Sequence, residues 1–296
     1  MKSEKHIALV QNTPTRLQEY GVGLFSSCAT KSALKKTLNK GLIRVNGKKA
    51  STATFIHGGE EIELTKEEIS EPEHQLEYPL KVLYDDEHLA AIYKPAGIQV
   101  SGNKFKTVAN ALEQNLSKSI LPDTCHPQPV HRLDYPTTGV LLAGKTSSGI
   151  RALNLMFEKK EIKKSYLAVA MGEIEKLKGD FNKAIDDKEA FTSYEVLESV
   201  ISERFGFLNL VLLHPKTGRR HQLRKHLSSS GNAILGDADY SPEELLLKGK
   251  GLYLHAYSVE FTHPVTKENL TIQAPVPKKF LKLFPTILTT PFTTIE

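Results

Sequence analysis

Residues 131–139 read HRLDYPTTG, with Arg132 two places before Asp134 and Pro136 two places after it. The proline pushes Tyr135 out of helical backbone, so Asp134 belongs to a turn or a strand edge. A carboxylate in such a place often does no more than close the turn by bonding its own backbone. The alternative is chemical. A nearby arginine favours the ionised carboxylate and fixes its direction, which suits a nucleophile or a base. This segment alone leaves both readings open.

Partners for the acid come from 214–227, HPKTGRRHQLRKHL. Within and beyond it, GRRHQLRKHLSSSG (218–231) reads as a helix ending at Gly231, which puts Arg220 and Arg224 four apart on one face, with Leu223 and Leu227 anchoring an adjacent one. One arginine could pair with Asp134 while others bind phosphates. A basic surface helix is the plainer account of Arg220 and Lys225. Tyr166 follows the lysines of KKSYLAV at the start of a strand. Core packing is the ordinary use of such a tyrosine, and stacking on a base is the functional one. Lys94-Pro95-Ala96-Gly97 reads as a turn after a strand.

Other chemistries find no support. No GxxxxGK[ST], GxGxxG or HExxH occurs, nor a nucleophile elbow. Cys28 and Cys125 form no CxxC pair, which argues against zinc and against a disulfide framework. The 296 residues suffice for one large and one small domain, and 40% hydrophobic with 25% charged residues is a folded globular composition. No apolar run approaches bilayer length, and MKSEKHIALV holds too short an apolar stretch for a signal peptide. A cytoplasmic location, without a membrane partner, is the expectation. Net charge is only +5, but residues 31–49 carry seven Lys/Arg and 215–226 carry five, both without an acid. Two such clusters far apart in the chain point to a polyanion, and so to nucleic acid.

These residues need elements to position them. Residues 12–66 read as a small domain: a short helix in TRLQEYGVGL, a second capped by Thr30 and closed by Gly41, and strands around an Asn46-Gly47 hairpin. Residues 67–78 are rich in glutamate and read as an acidic linker. From 79 to 284, strands are expected at LKVLY, LAAIYKP, VLLAGK, SYLAVAMGEI, TSYEVLESV, FGFLNLVLLHP, GLYLHAYSVEFTHP and ENLTIQAP. Helices are expected at TVANALEQNLSKSI and SSGIRALNLMFEKKEI. The strands do not alternate regularly with helices, so the class is α+β with a mixed sheet. Residues 285–296 are left as a tail.

Taken in order, YKPAGIQV, HRLDYPTTGVLLAGK, KKSYLAV, HPKTGRRHQLRKHL, LGDADY and LHAYSVEFTHP resemble the RluA-type pseudouridine synthases. The N-terminal unit is similar to a small α/β RNA-binding domain found in a small-subunit ribosomal protein. Together the resemblances span roughly residues 12 to 284. They imply a mainly antiparallel pseudouridine synthase fold and isomerisation of uridine in RNA. Ribosomal RNA is the first expected partner and transfer RNA the second, with no metal or organic cofactor. The essential aspartate falls on Asp134, the tyrosine that stacks on uracil on Tyr166, and the ion-pairing arginine on Arg224, with Arg219 as its rival. Arg132 would help to flip out the uridine. Arg219, Arg220 and His221 would contact RNA, as would Lys31, Lys35, Lys36, Arg44 and Lys48 of the small domain.

Four positions depart from the family's habit. Thr138 replaces a usual serine and keeps its hydroxyl. Tyr135-Pro136 is bulkier and stiffer than usual, which bears on target choice. Lys31 replaces an arginine and gives up bidentate phosphate contact. A monomer is expected. The competing expectation is an RNA-binding or ribosome-assembly factor that keeps the fold without turnover.

Overall fold

The computed structural model describes residues 3–11, 13–28, 30–65, 76–247 and 249–288, which fold as two compact units, 1–75 and 76–296. The first unit contains β1 (Ser3–Ile7), β2 (Thr15–Arg16), α1 (Leu17–Tyr20), α2 (Lys31–Lys40), β3 (Ile43–Val45), β4 (Lys48–Lys49), β5 (Phe55–Ile56) and β6 (Glu61–Thr65). An antiparallel sheet runs β1-β6-β3-β4, and β2 pairs with β5. The Thr30 hydroxyl accepts from the Ala33 N–H at 3.2 Å and starts α2; Gly41, at φ 74°, ends it in left-handed backbone. Leu34 and Leu38 turn inward onto Leu17, Ile43 and Ile62, which leaves Lys31, Lys35 and Lys36 outward. The unit begins earlier than residue 12, because β1 pairs with β6 along its whole length.

The second unit contains β7 (Lys81–Asp85), β8 (Leu89–Lys94), α3 (Val108–Asn115), β9 (Thr124–Pro129), β10 (Thr138–Thr146), α4 (Ser147–Glu158), β11 (Lys163–Met171) and β12 (Lys178–Phe181). Then come β13 (Thr192–Ser202), β14 (Gly206–Pro215), α5 (Gln222–Ser229), β15 (Leu254–Thr262), β16 (Asn269–Gln273) and α6 (Lys278–Leu281). The sheet runs β12-β13-β14-β11-β15-β10-β8-β7, with β9 added to β10 and β16 to β15. Leu76 and Tyr78 pack on its core, so the unit starts inside the stretch read as linker; residues 66–75 of that stretch lie outside the described residues. The stretch read as a tail begins with a short 3-10 turn at Pro285–Leu288, and 289–296 lie outside the described residues.

One face of β8 and β10 carries Ala90, Ile92, Leu141 and Ala143 against α3. The other carries Leu89, Ala91, Val140 and Leu142 against α4. Both faces are covered, which explains why these strands read as continuous apolar runs. Two strands of the second unit escaped the sequence reading, as did β1, β2 and β5 of the first. β9 is TCHPQP, and two prolines argue against a strand; it is tolerated because it pairs only with the end of β10. β12 is a four-residue strand with a polar, half-exposed face at the sheet's outer edge.

The sheet is antiparallel except at one seam. There β10 meets β15 in parallel, through Thr138–His255 and Gly139–Ala256 alone. A Cβ on Gly139 would lie 2.1 Å from the Ala256 carbonyl oxygen, and φ there is 122°, so the close approach requires glycine. The chain reaches this seam directly from the loop that carries Asp134.

Candidate active site

Asp134 lies in the loop between β9 and β10, and buried groups hold that loop from beneath. Lys94, at the end of β8 and fully buried, donates through Nζ to the carbonyls of Pro95 (3.0 Å), Tyr135 (3.2 Å) and Thr137 (2.9 Å). Burial pushes the Lys94 ammonium down to about 8, against the pull of the Asp134 charge. The Gly97 N–H donates to the Tyr135 carbonyl at 3.0 Å, and the Thr137 N–H to that of Asp134 at 3.0 Å. His131 starts the loop. Its Nε2 accepts from the Leu142 N–H at 2.9 Å and its ring lies 4.8 Å from that of Phe157. Burial first, and then the Lys164 charge, take His131 down to about 3, so it is a neutral structural group.

Arg224 reaches the acid from α5. Its Nη1 is 3.7 Å from Asp134 Oδ2. The rest of its guanidinium is taken: Nε and Nη2 donate to the two oxygens of buried Asp237 at 2.7 and 2.5 Å, and Nη2 also to Asp239 at 2.7 Å. Asp237 accepts in addition from the N–H groups of Asp239 (3.0 Å) and Tyr240 (3.2 Å), so its charge sits among fixed donors. The Arg224 plane lies over the Tyr240 ring, 4.9 Å from its centre. Despite burial, these acids raise the Arg224 pKa further.

His221 completes the constellation. Its Nδ1 meets the Tyr240 hydroxyl at 2.9 Å and its Nε2 lies 3.6 Å from Asp134 Oδ1. Burial lowers its pKa, although Asp134 pulls the other way. The α5 helix begins only at Gln222, with His221 left-handed at φ 55°. Arg220 therefore lies outside the helix and is exposed, and the shared face read for Arg220 and Arg224 does not exist. Arg219 is also exposed and donates through Nε to the Glu189 carbonyl at 2.9 Å. Of the two rival arginines, Arg224 is the one beside the acid.

Tyr166, on β11, is half-buried between two apolar clusters, and burial then the Asp134 charge raise its phenol above the ordinary range. A bulge falls at this point, with Ser165 opposite Ser258 but Tyr166 opposite Ala256. Such a bulge re-aims a side chain. A cavity of about 570 Å³ opens over the acid, lined by Arg132, Asp134, Tyr135, His221, Arg224 and Asp237 among others. Tyr166 is not part of that lining. Arg132 is exposed on it.

Lys31, Lys35, Lys36, Arg44 and Lys48 all belong to the first unit and are exposed. Lys31 pairs with Glu19 at 2.5 Å, and Arg44 Nη1 donates to the Gly47 carbonyl at 3.0 Å. Sequence reasoning gave no site role to Lys94, Asp237, Asp239 and Tyr240. The only signal for the last three was the motif LGDADY, and for Lys94 a lysine ending an apolar strand.

Residues 88–229 match the family of RNA pseudouridylate synthases. The chain is 31% identical over 267 residues to the RNA pseudouridine synthase YhcT of Bacillus subtilis, covering 84% of this chain and 86% of that one. The chain belongs to the RluA-type RNA pseudouridine synthases. It is also 30% identical over 281 residues to the ribosomal large subunit pseudouridine synthase C of Escherichia coli, covering 83% of this chain and 85% of the relative. A human RNA pseudouridylate synthase domain-containing protein 4 has the same fold, with TM-score 0.54, 25% identity, and 68% of this chain and 90% of that one covered. The α+β class with a mixed, mainly antiparallel sheet is thus the family's. Among the described residues, no helix is long and apolar enough to cross a membrane.

Proposed function

We propose that this synthase isomerises a uridine of ribosomal RNA, with Asp134 as the group that meets the reacting nucleotide. The observation that carries the reading is one carboxylate at the mouth of a closed cation–acid network. Asp134 faces Arg224 and His221 at 3.7 and 3.6 Å, in ion-pair range but too far for hydrogen bonds. Its oxygens therefore keep lone pairs for a substrate.

The family's reaction breaks the bond from sugar to base nitrogen, turns the uracil, and joins a ring carbon to the sugar. The ring carbon then loses its proton to solvent, and the freed ring nitrogen takes one up, so the composition is unchanged. Asp134 is the group that adds to the sugar, adds to the ring, or takes the sugar proton that starts elimination. Its counter-charge in each case is Arg224, which Asp237 and Asp239 hold in place. Tyr166, with its pKa raised, acts as a neutral ring; it lies outside the cavity lining, so stacking on uracil requires the base to reach past that lining to its partly exposed side. The base must leave its stack, which costs a few kcal/mol, and Arg132 on the cavity rim is placed to fill the gap. Exposed Arg220 near the cavity, and Lys35, Lys36 and Lys48 of the first unit, supply phosphate contacts.

The ribosomal assignment rests on the name of the Escherichia coli relative and is tested by separation. Ribosomal and transfer RNA from cells lacking the protein, labelled with tritium at uridine C5, are treated in parallel. Release from the ribosomal pool alone is expected. Release from transfer RNA alone would reverse the substrate assignment, and release from neither would favour the factor without turnover.

A further inference from the structure

Two exposed aromatic side chains, one on the cavity wall and one on the loop that leaves that wall, have no use in the chemistry above. Tyr135 lines the cavity and is 55% exposed; Phe105 is 56% exposed. Neither sits on frayed backbone. The Tyr135 carbonyl is held by Lys94 and Gly97. The Phe105 carbonyl accepts from Asn110 Nδ2 at 2.8 Å and from the Thr107 N–H at 3.1 Å. Phe105 rides on a loop, 101–106, that is exposed throughout and leaves the cavity wall at Ser101. Its base is closed where Gln99 bridges Thr107, and the Val108 N–H donates to the Gln99 carbonyl at 2.9 Å. Lys104 and Lys106 flank the ring and are exposed, with Lys106 Nζ 4.6 Å from the centre of the Tyr78 ring. Among the described residues, neither Tyr135 nor Phe105 has a ring or cation partner, and the Tyr135 hydroxyl has no hydrogen bond. The chain thus holds one exposed ring on the cavity wall and a second on the loop that leaves it, with Lys104 and Lys106 as its neighbours in the chain.

We propose that Tyr135 and Phe105 are stacking platforms for unpaired nucleotides flanking the target uridine, so that the substrate is a single-stranded loop or bulge and not a duplex. This rests on the reading of the cavity as the uridine site. Tyr135 follows Asp134 in the chain, so its ring meets the nucleotide next to the one being isomerised. Phe105 meets a nucleotide farther along the strand, with Lys104 on its phosphate. Bases inside a duplex already stack on each other and offer no free face. An unpaired base of any identity does, which makes this contact a reader of strandedness and not of sequence.

The test uses the full chain and fluorescence anisotropy with a roughly 12-nucleotide oligouridylate, single-stranded or paired with oligoadenylate. Tyr135→Ala and Phe105→Ala are each expected to weaken single-strand binding by about 5- to 100-fold, the worth of one stacked base, and to leave duplex binding within about twofold. Tyr135→Phe keeps the wild-type preference, because stacking needs the ring and not the hydroxyl. Undiminished single-strand binding overturns the proposal for the ring removed. Equal loss on both probes overturns it for both rings. Tritium release from ribosomal RNA by the wild type is measured beside these. If the strand preference is present and release is absent, the uridine reading fails and the platforms remain an RNA-binding feature.

Discussion

Asp134 keeps two cationic or protonatable neighbours just beyond hydrogen-bond reach, while Arg224 spends its short bonds on Asp237 and Asp239. Arg224 is therefore a fixed charge, and Asp134 is the adaptable partner. Asp237→Asn tests this division. It removes the buried countercharge and should destabilise the protein by about 3 kcal/mol in chemical denaturation. Turnover should fall well beyond the unfolded fraction, because Arg224, left with Asp239 as its one charged brace, is drawn towards Asp134. Unchanged kcat in the folded fraction would mean that the Asp237 brace is irrelevant to the chemistry. Local residues raise Asp134 as one of two readings and leave its partner arginine open; the choice of Arg224 comes from the family resemblance, and the fold sets Arg224 3.7 Å from the acid. Asp237 was not legible, since its meaning lies in a contact 13 residues away in the chain. Lys94 was not, since a lysine after an apolar strand ordinarily turns outward, and only the fold brings the Tyr135 and Thr137 carbonyls beside that of Pro95 to keep it in.

At the scale of elements, the site depends on the seam between β10 and β15. Gly139→Ala places a methyl against the Ala256 backbone in a left-handed conformation, so a cost of about 3 kcal/mol is expected. Thermal unfolding measures it, and a loss below about 1 kcal/mol would show that the seam yields easily. Most strands were readable, because buried β8, β10 and β11 are long apolar runs. The start of α5 was not. Arg219 and Arg220 carry no hydrophobic phase, so nothing local separates a basic helical turn from the basic loop that His221 ends at positive φ. The first unit's Asn46-Gly47 hairpin and Thr30 cap were legible because turn and cap chemistry is local.

For the whole molecule, two neutral histidines, half-buried His131 and buried His255, shape the response to acid. His131 is taken to about 3 and His255, which meets the Thr138 hydroxyl at 2.8 Å, to about 4. The unfolded chain binds protons on both near pH 6.5 and the folded chain does not. Stability is full above that pH and falls as the pH drops towards the folded values, by on the order of 2 kcal/mol per histidine between pH 8 and 5. Denaturation of wild type and of His131→Gln across that range checks the sign; an equal slope in both would refute the role of His131. RNA affinity is a whole-molecule property as well. Replacing Lys35, Lys36 and Lys48 together with Gln should lower the slope of log affinity against log salt by about 2 to 3. An unchanged slope would remove the first unit from the RNA contact. Charge clusters made a nucleic-acid partner legible in the sequence, but they do not distinguish a rim arginine such as Arg132 from Arg219, which turns to the Glu189 carbonyl.

The central claim is that Asp134 carries the isomerisation, and tritium release from C5-labelled ribosomal RNA by wild type and Asp134→Asn tests it most directly. The exchange keeps the side chain's size and the turn, so RNA binding by the variant should match wild type. Release with wild type and none above background with the variant is the predicted result. Equal release from both, with equal binding, would contradict the account and place the reacting group elsewhere in the cavity.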